Sequence, residues 1–189
     1  STRLLREADE LAKKNPVSAI PFYESIIFEG SAEKEKAIEK LFDIHKRLID
    51  FTFTGNGKYH ERSVIENTLN FYEKRKKDTD STHLAKAYLH LGSLLWKWQA
   101  PIYFDKAIDV LNEAYNLGDI EIKAQAAWHL AFIYWNFATY FPHERNYIKK
   151  YSLSDVKKQF RLVIQNAPKS KNAKKAREIL ERDDFQQTK

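Results

Sequence analysis

Cysteine and methionine are both absent from this 189-residue sequence. Without cysteine there is no disulfide, no thiolate metal site and no cysteine nucleophile, and the absence fits an oxidising and a reducing compartment equally well. Five glycines and five prolines are too few for the many tight turns of a β-rich fold. No run reaches the roughly 18 apolar residues of a membrane-crossing helix, and the stretch after Ser1 lacks the charged-then-apolar plan of a signal peptide. A start at Ser1 without methionine is what a processed or truncated product would show. Aromatic residues make up 14% and charged residues 31%, a mixture suited to amphipathic helices packed by large side chains and solvated by Lys and Glu. Disorder is not the expected state on the same grounds.

The chain is organised around Leu84 to Phe137. Tyr88, Leu91, Gly92 and Leu95 recur on one helical face, and Ala107, Leu111 and Ala114 do so on a second helix beyond Pro101. Ala127, Leu130, Ala131 and Tyr134 then restart the pattern. Small residues at Gly92, Ala107, Ala114 and Ala131 let helix axes approach closely while large residues fill the gaps between them. Upstream, Leu4, Leu5, Ala8, Leu11 and Ala12 stripe a first helix that Asn15-Pro16 stops. Ala19, Tyr23 and Ile26 stripe a second, which Gly30 closes. Ser31 is placed to cap a third helix carrying Ala37, Leu41, Ile44 and Leu48, broken at Gly55-Asn56-Gly57. A fourth is expected from about Glu61 to Lys76. The block Glu73 to Asp80 has no apolar residue and reads as a solvated helix end, with Asp80 or Ser81 capping the helix of Tyr88 and Leu91.

These spacings resemble the tetratricopeptide repeat (TPR), whose pattern is an aromatic, Leu-Gly, Tyr, Ala, an aromatic and Pro. Tyr88, Leu91, Gly92 and Leu95 match a first helix, and Ala107, Leu111 and Ala114 a second. Gly92 and Ala107 lie 15 apart where the 34-residue family unit puts them about 12 apart, which implies a longer turn near Gln99 to Ile102. Downstream, Ala131 and Val156 lie 25 apart, so an aromatic insertion of roughly 138–152 is expected, holding Tyr140, Phe141, Pro142, Tyr147 and Tyr151 and folding back on the helices. Ser154 is placed to cap a helix running through Ile164. Phe160 and Pro168 occupy the family's aromatic and terminal Pro positions, and the segment from Phe160 to Leu180 is similar to the last repeat of bacterial envelope TPR proteins. The resemblance implies an all-α, TPR-like right-handed α-solenoid of stacked antiparallel helix pairs, one domain over 1–189. Its approximate units are 1–30, 31–80, 81–119 and 120–168, with a closing helix at 169–183.

In that family the first helix of each hairpin lines a concave groove. The matching positions here are Leu89, Ser93, Trp96 and Lys97 on one helix. On the next they are Gln125, Trp128, Phe132, Trp135 and Asn136. Leu89, Ser93 and Trp128 depart from the Lys, Asn and Arg of a carboxylate clamp, so an acidic C-terminal peptide is not the expected ligand. Large rigid rings suit an apolar or helical segment. Two readings stay open: a bare groove, in which Trp128→Ala and Trp135→Ala lower affinity and spare stability, or a covered stripe belonging to the core.

Chemistry beyond binding has little support. None of His45, His60, His83, His90, His129 and His143 belongs to an HExxH pair or a metal-ligand cluster. His60 and His143 each begin a His-Glu-Arg triplet, which reads as a capping element. His90 and His129 fall at equivalent repeat positions and read as packing residues. No glycine-rich phosphate loop is present. The expectation is a noncatalytic interaction scaffold with no cofactor and no metal. Charge is concentrated late: residues 149–189 hold 12 Lys or Arg against 5 Asp or Glu, which leaves the first 148 at −1 of the net +6. A nucleic-acid-binding helical repeat using this basic end is the alternative. It is disfavoured because no base-stacking aromatics alternate with these lysines. A protein or peptide partner is expected, with weak membrane-surface contact through the basic end as a lesser option. The envelope or periplasm is weighed slightly above the cytoplasm, and the oligomeric state is not readable.

Overall fold

The structure is a computed structural model that describes residues 2–54, 61–97, 103–139, 151–182 and 185. Those residues form helices joined by turns, with no strand among them. The all-α class follows from the 3.6-residue periodicity. The chain divides into two compact units, 1–79 and 80–189.

The first unit holds α1 (Thr2–Lys14), α2 (Pro16–Phe28), α3 (Lys34–Thr54) and α4 (Glu61–Arg75). Between α1 and α2 the Asn15 side chain accepts the Ser18 N–H at 3.2 Å. Pro16 comes next at a first-turn position, where its missing N–H costs nothing. α2 closes at Gly30, whose φ of +63° is the left-handed conformation that glycine adopts without a Cβ penalty. Ala8, Ala19, Tyr23 and Ile26 are buried at the spacing their stripes require, and the Tyr23 hydroxyl donates to Asp9 Oδ1 at 2.6 Å. Ala37, Leu41 and Ile44 of α3 are buried, whereas Leu48 is half-buried and Ile49 goes inside in its place. Phe42 stacks on Tyr72 at 5.5 Å and meets Phe71 edge-on at 4.8 Å.

The block Glu73 to Asp80 is mostly exposed, as its composition implies, with Arg75 and Thr79 half-buried. Arg75 is only 11% exposed and pairs with Glu24 of α2 and with Asp78, which also accepts the Lys34 ammonium at 2.9 Å. Pairing between side chains so far apart in sequence leaves no trace in a local hydrophobic pattern, and a long Arg can bury its stem while its planar head meets two carboxylates.

The second unit holds α5 (Ser81–Lys97), α6 (Phe104–Leu117), α7 (Ile120–Thr139), α8 (Leu153–Asn166) and α9 (Lys171–Leu180). Asp80 is the cap of α5, accepting the His83 N–H at 3.0 Å. α5 packs on α6, α6 on α7, α7 on α8 and α8 on α9. The α5–α6 approach depends on one residue. A Cβ at Gly92 would stand 2.6 Å from Leu111 Cγ, closer than real Cβ atoms come, and 3.1 Å from Val110 Cγ2, a tight contact. α8 is capped by Ser152 and not by Ser154. The Ser152 hydroxyl accepts the Asp155 N–H at 3.3 Å while Asp155 accepts the Ser152 N–H at 2.8 Å. The reciprocal box wins because an acidic residue stands three positions after Ser152, where its carboxylate reaches back.

The turns expected at Gly55-Asn56-Gly57, Pro101 and Pro142, His60 of the first His-Glu-Arg triplet, the whole His143 triplet, and Tyr140, Phe141 and Tyr147 of the insertion lie outside the described residues, whereas Glu61 and Arg62 open α4. Tyr151 is described. It stacks on Tyr134 at 3.9 Å and lies 5.6 Å from Phe137.

Candidate functional site

α7 is the central helix of its unit. Asp119 starts it by accepting the Ile122 N–H at 2.9 Å. Ile122, Ala126, Ala127, Leu130, Ala131, Ile133, Tyr134 and Phe137 are all buried. So many buried positions cover most of the helix circumference, as expected of an element with neighbours on several sides. One stripe differs. Gln125, Trp128, Phe132, Trp135 and Asn136, spaced by three and four, are each half-buried. These are the groove-facing positions expected from the sequence, and the helix does align them.

Phe132 is the hub of the stripe. Trp96 of α5 stacks on it at 6.1 Å, Trp135 stacks at 5.9 Å, and Trp128 meets it edge-on at 4.9 Å. Beneath them lies Phe160 of α8, fully buried, with its ring centroid 5.9 Å from Trp128, 5.7 Å from Phe132 and 6.1 Å from Trp135. The edge-on pairings set the positive rim of one ring against the negative face of another, the arrangement aromatic quadrupoles favour. The stripe is therefore a floor with one face packed and one face left, between the two extremes that the sequence left open.

The other expected groove residues are placed less centrally. Leu89 and Ser93 are half-buried on α5, and the Ser93 hydroxyl is engaged with the His90 carbonyl at 2.8 Å. Lys97 is exposed at the end of α5. Asn136 donates to the Phe132 carbonyl at 2.9 Å, one turn back in its own helix. Tyr134 and Tyr151 stack on another side of α7, away from the stripe, where burial pushes the Tyr134 phenol up to about 12 with Tyr151 second as a cause.

Two features extend the site. A cleft of about 360 Å3 opens beside Gln125 and Trp128, closed on its far side by Ser170, Lys171 and Asn172 at the start of α9. His129 also faces it, its imidazole pushed down to about 4 by burial first and by the Lys97 charge second, so it is neutral at neutral pH. At the other end of the stripe stands Phe185, 1% exposed, whose ring meets Trp135 edge-on at 5.1 Å. Phe185 was not legible in the sequence. Its only signal is an isolated aromatic in a polar tail, which carries no period.

The first unit has a cleft of about 450 Å3 between α1, α2 and α3, with Arg6, Lys40 and Arg47 facing Asp9 and Asp43. Lys40 lies 3.5 Å from Asp9, so part of this charge is already matched. Among the described residues no group of three or more His, Asp or Glu side chains could hold a metal ion, and no helix is long and apolar enough to cross a membrane. The lysines of α9 are on its surface: Lys171, Lys174 and Lys175 are exposed while Ala173 and Ala176 are buried. No family model, no curated protein and no solved structure matches this chain.

Proposed function

We propose that the chain is a noncatalytic protein-interaction scaffold of the TPR-like kind, which holds an apolar protein or peptide segment along the Trp96, Trp128, Phe132 and Trp135 stripe. The observation that carries the reading is the contrast on α7, where most of the circumference is buried and one aromatic stripe stays half-open beside a cleft. Rigid aromatic rings over a packed floor provide contact area with little side-chain entropy left to lose, which is why such rings dominate binding energy at interfaces. The close passage of α5 over α6 at Gly92 supports the solenoid of stacked antiparallel pairs that the repeat spacing implies. An envelope assembly is the setting that goes with this reading.

The opposing class is a nucleic-acid binder acting through the basic residues of α9. An electrophoretic shift with RNA and DNA at physiological salt separates the two. No shift is expected, and tight, salt-sensitive binding would overturn the scaffold reading.

A further inference from the structure

The rings of the stripe are uncharged, and the side chains that border them are mostly of one sign. Lys86 and Lys97 stand on the face of α5 that holds Leu89, Ser93 and Trp96, at helical spacings of three and four. Both lysines are exposed, and α5 contains no Asp or Glu. Across the cleft beside Trp128 stands Lys171, exposed at the start of α9. None of the three forms an ion pair among the described residues. Arg182 adds a cation over the Trp135 ring at 5.4 Å. Against these stands Glu121 in the first turn of α7, which accepts the Gln125 amide at 3.4 Å. α6, which packs on α5 and gives nothing to the stripe, has the opposite balance, with Asp105, Asp109 and Glu113 against Lys106. Cations therefore gather on the elements that frame the rings.

Two kinds of anion suit cations placed around aromatic rings, a nucleic-acid single strand and an acidic protein segment. The rings favour the second. Phe132 has Trp96 and Trp135 beside it in planes tilted by 23° and 27°, with Trp128 edge-on, so much of the ring face on which a base would stack is used within the array. Ring edges remain, and these suit aliphatic and aromatic side chains. We propose that the partner is an acidic amphipathic segment of protein, whose large apolar side chains lie on the rings while its Asp or Glu side chains reach Lys86, Lys97 and Lys171. This rests on the interaction reading and names the chemistry of the partner. The carboxylates belong to side chains within the segment, so no chain end is needed. The rings supply most of the affinity, and the lysines choose among apolar segments. Charges at a rim speed encounter and reject like-charged competitors more than they tighten the complex.

The test titrates the intact chain by calorimetry at physiological salt with three short synthetic peptides. They share their Phe and Leu positions and differ only in the intervening residues, which are Asp, Asn or Lys. A single-stranded oligouridylate is the fourth probe. The Asp peptide is expected to bind about 10-fold more tightly than the Asn peptide, since each rim ion pair contributes up to roughly 5-fold, and the Lys peptide is expected to bind most weakly. Replacing the lysines together, Lys86→Gln, Lys97→Gln and Lys171→Gln, should bring the Asp peptide down to the affinity of the Asn peptide, which itself should not change. The pair Lys174→Gln and Lys175→Gln should leave the preference in place. Equal binding of the Asp and Asn peptides, or a preference that survives loss of the three lysines, overturns the proposal. If both peptides still lose affinity in Trp128→Ala, the interaction reading stands and only the acidic partner fails. Tighter binding of the oligouridylate than of the Asp peptide, lost with the same lysines, overturns both, and so does failure of every peptide to bind.

Discussion

His45 shows how burial changes a single side chain. It is 5% exposed, stacked on Phe71 at 4.5 Å, with Nδ1 3.1 Å from the Thr68 hydroxyl, and burial pushes its imidazole down to about 4. The folded state therefore binds a proton less readily than the unfolded state, whose histidine titrates near 6.5. Its contribution to stability is complete above pH 6.5 and is lost as pH falls from there toward 4, about 2 kcal/mol of it by pH 5. Urea midpoints at pH 7 and pH 5 should show this loss together with that of the similarly shifted His129, and His45→Gln should remove only the share of His45 while keeping a partner for Thr68. Trp135 behaves differently from the bare groove residue that the sequence allowed. Its ring lies against Phe160, Phe132 and Phe185, so Trp135→Ala should lower stability by about 2 kcal/mol, less than a fully buried Trp because one face is open. Thermal unfolding measures that cost. Trp135→Phe should recover most of it.

At the level of elements, α5 and α6 meet because Gly92 has no side chain. Alanine there gains helix propensity of up to about 1 kcal/mol but must displace the buried Leu111, an overpacking that costs about 1 to 3 kcal/mol. Gly92→Ala is therefore expected to destabilise, and combining it with Leu111→Ala should cost less than the sum of the two single changes, as a double-mutant cycle in urea would report. Ser152→Ala removes the box at the start of α8 and should cost about 1 kcal/mol, whereas Ser154→Ala should cost almost nothing. Periodicity made most of these elements legible. The stripes around Ala8, Tyr23, Leu91, Leu111 and Leu130 point inward as their spacing requires, and Asn15-Pro16, Gly30 and Gly118 end helices because their backbone preferences act locally. Arg75, Thr68 and Phe185 were illegible for the opposite reason. Each is placed by partners 23 or more residues away, and such contacts leave no period in the neighbouring sequence.

At the scale of the whole molecule, the net charge of +6 lies mainly beyond residue 148, and lysines of α9 carry part of it into solvent while the aromatic stripe of α7 stays nearly uncharged. On the proposed function, binding is expected to run through the stripe and not through the charge. A peptide-display selection against the intact chain at physiological salt tests it directly, with binding of the enriched peptides then measured against Trp128→Phe, Trp128→Ala, and the charge-removing pair Lys174→Gln and Lys175→Gln. The expected result is peptides enriched in an aromatic residue, binding weakened by about 2 kcal/mol in Trp128→Ala, a smaller loss in Trp128→Phe, and little change in the lysine variant. Acidic peptides without aromatics, bound equally by the Trp128 variants and lost in the lysine variant, would contradict it.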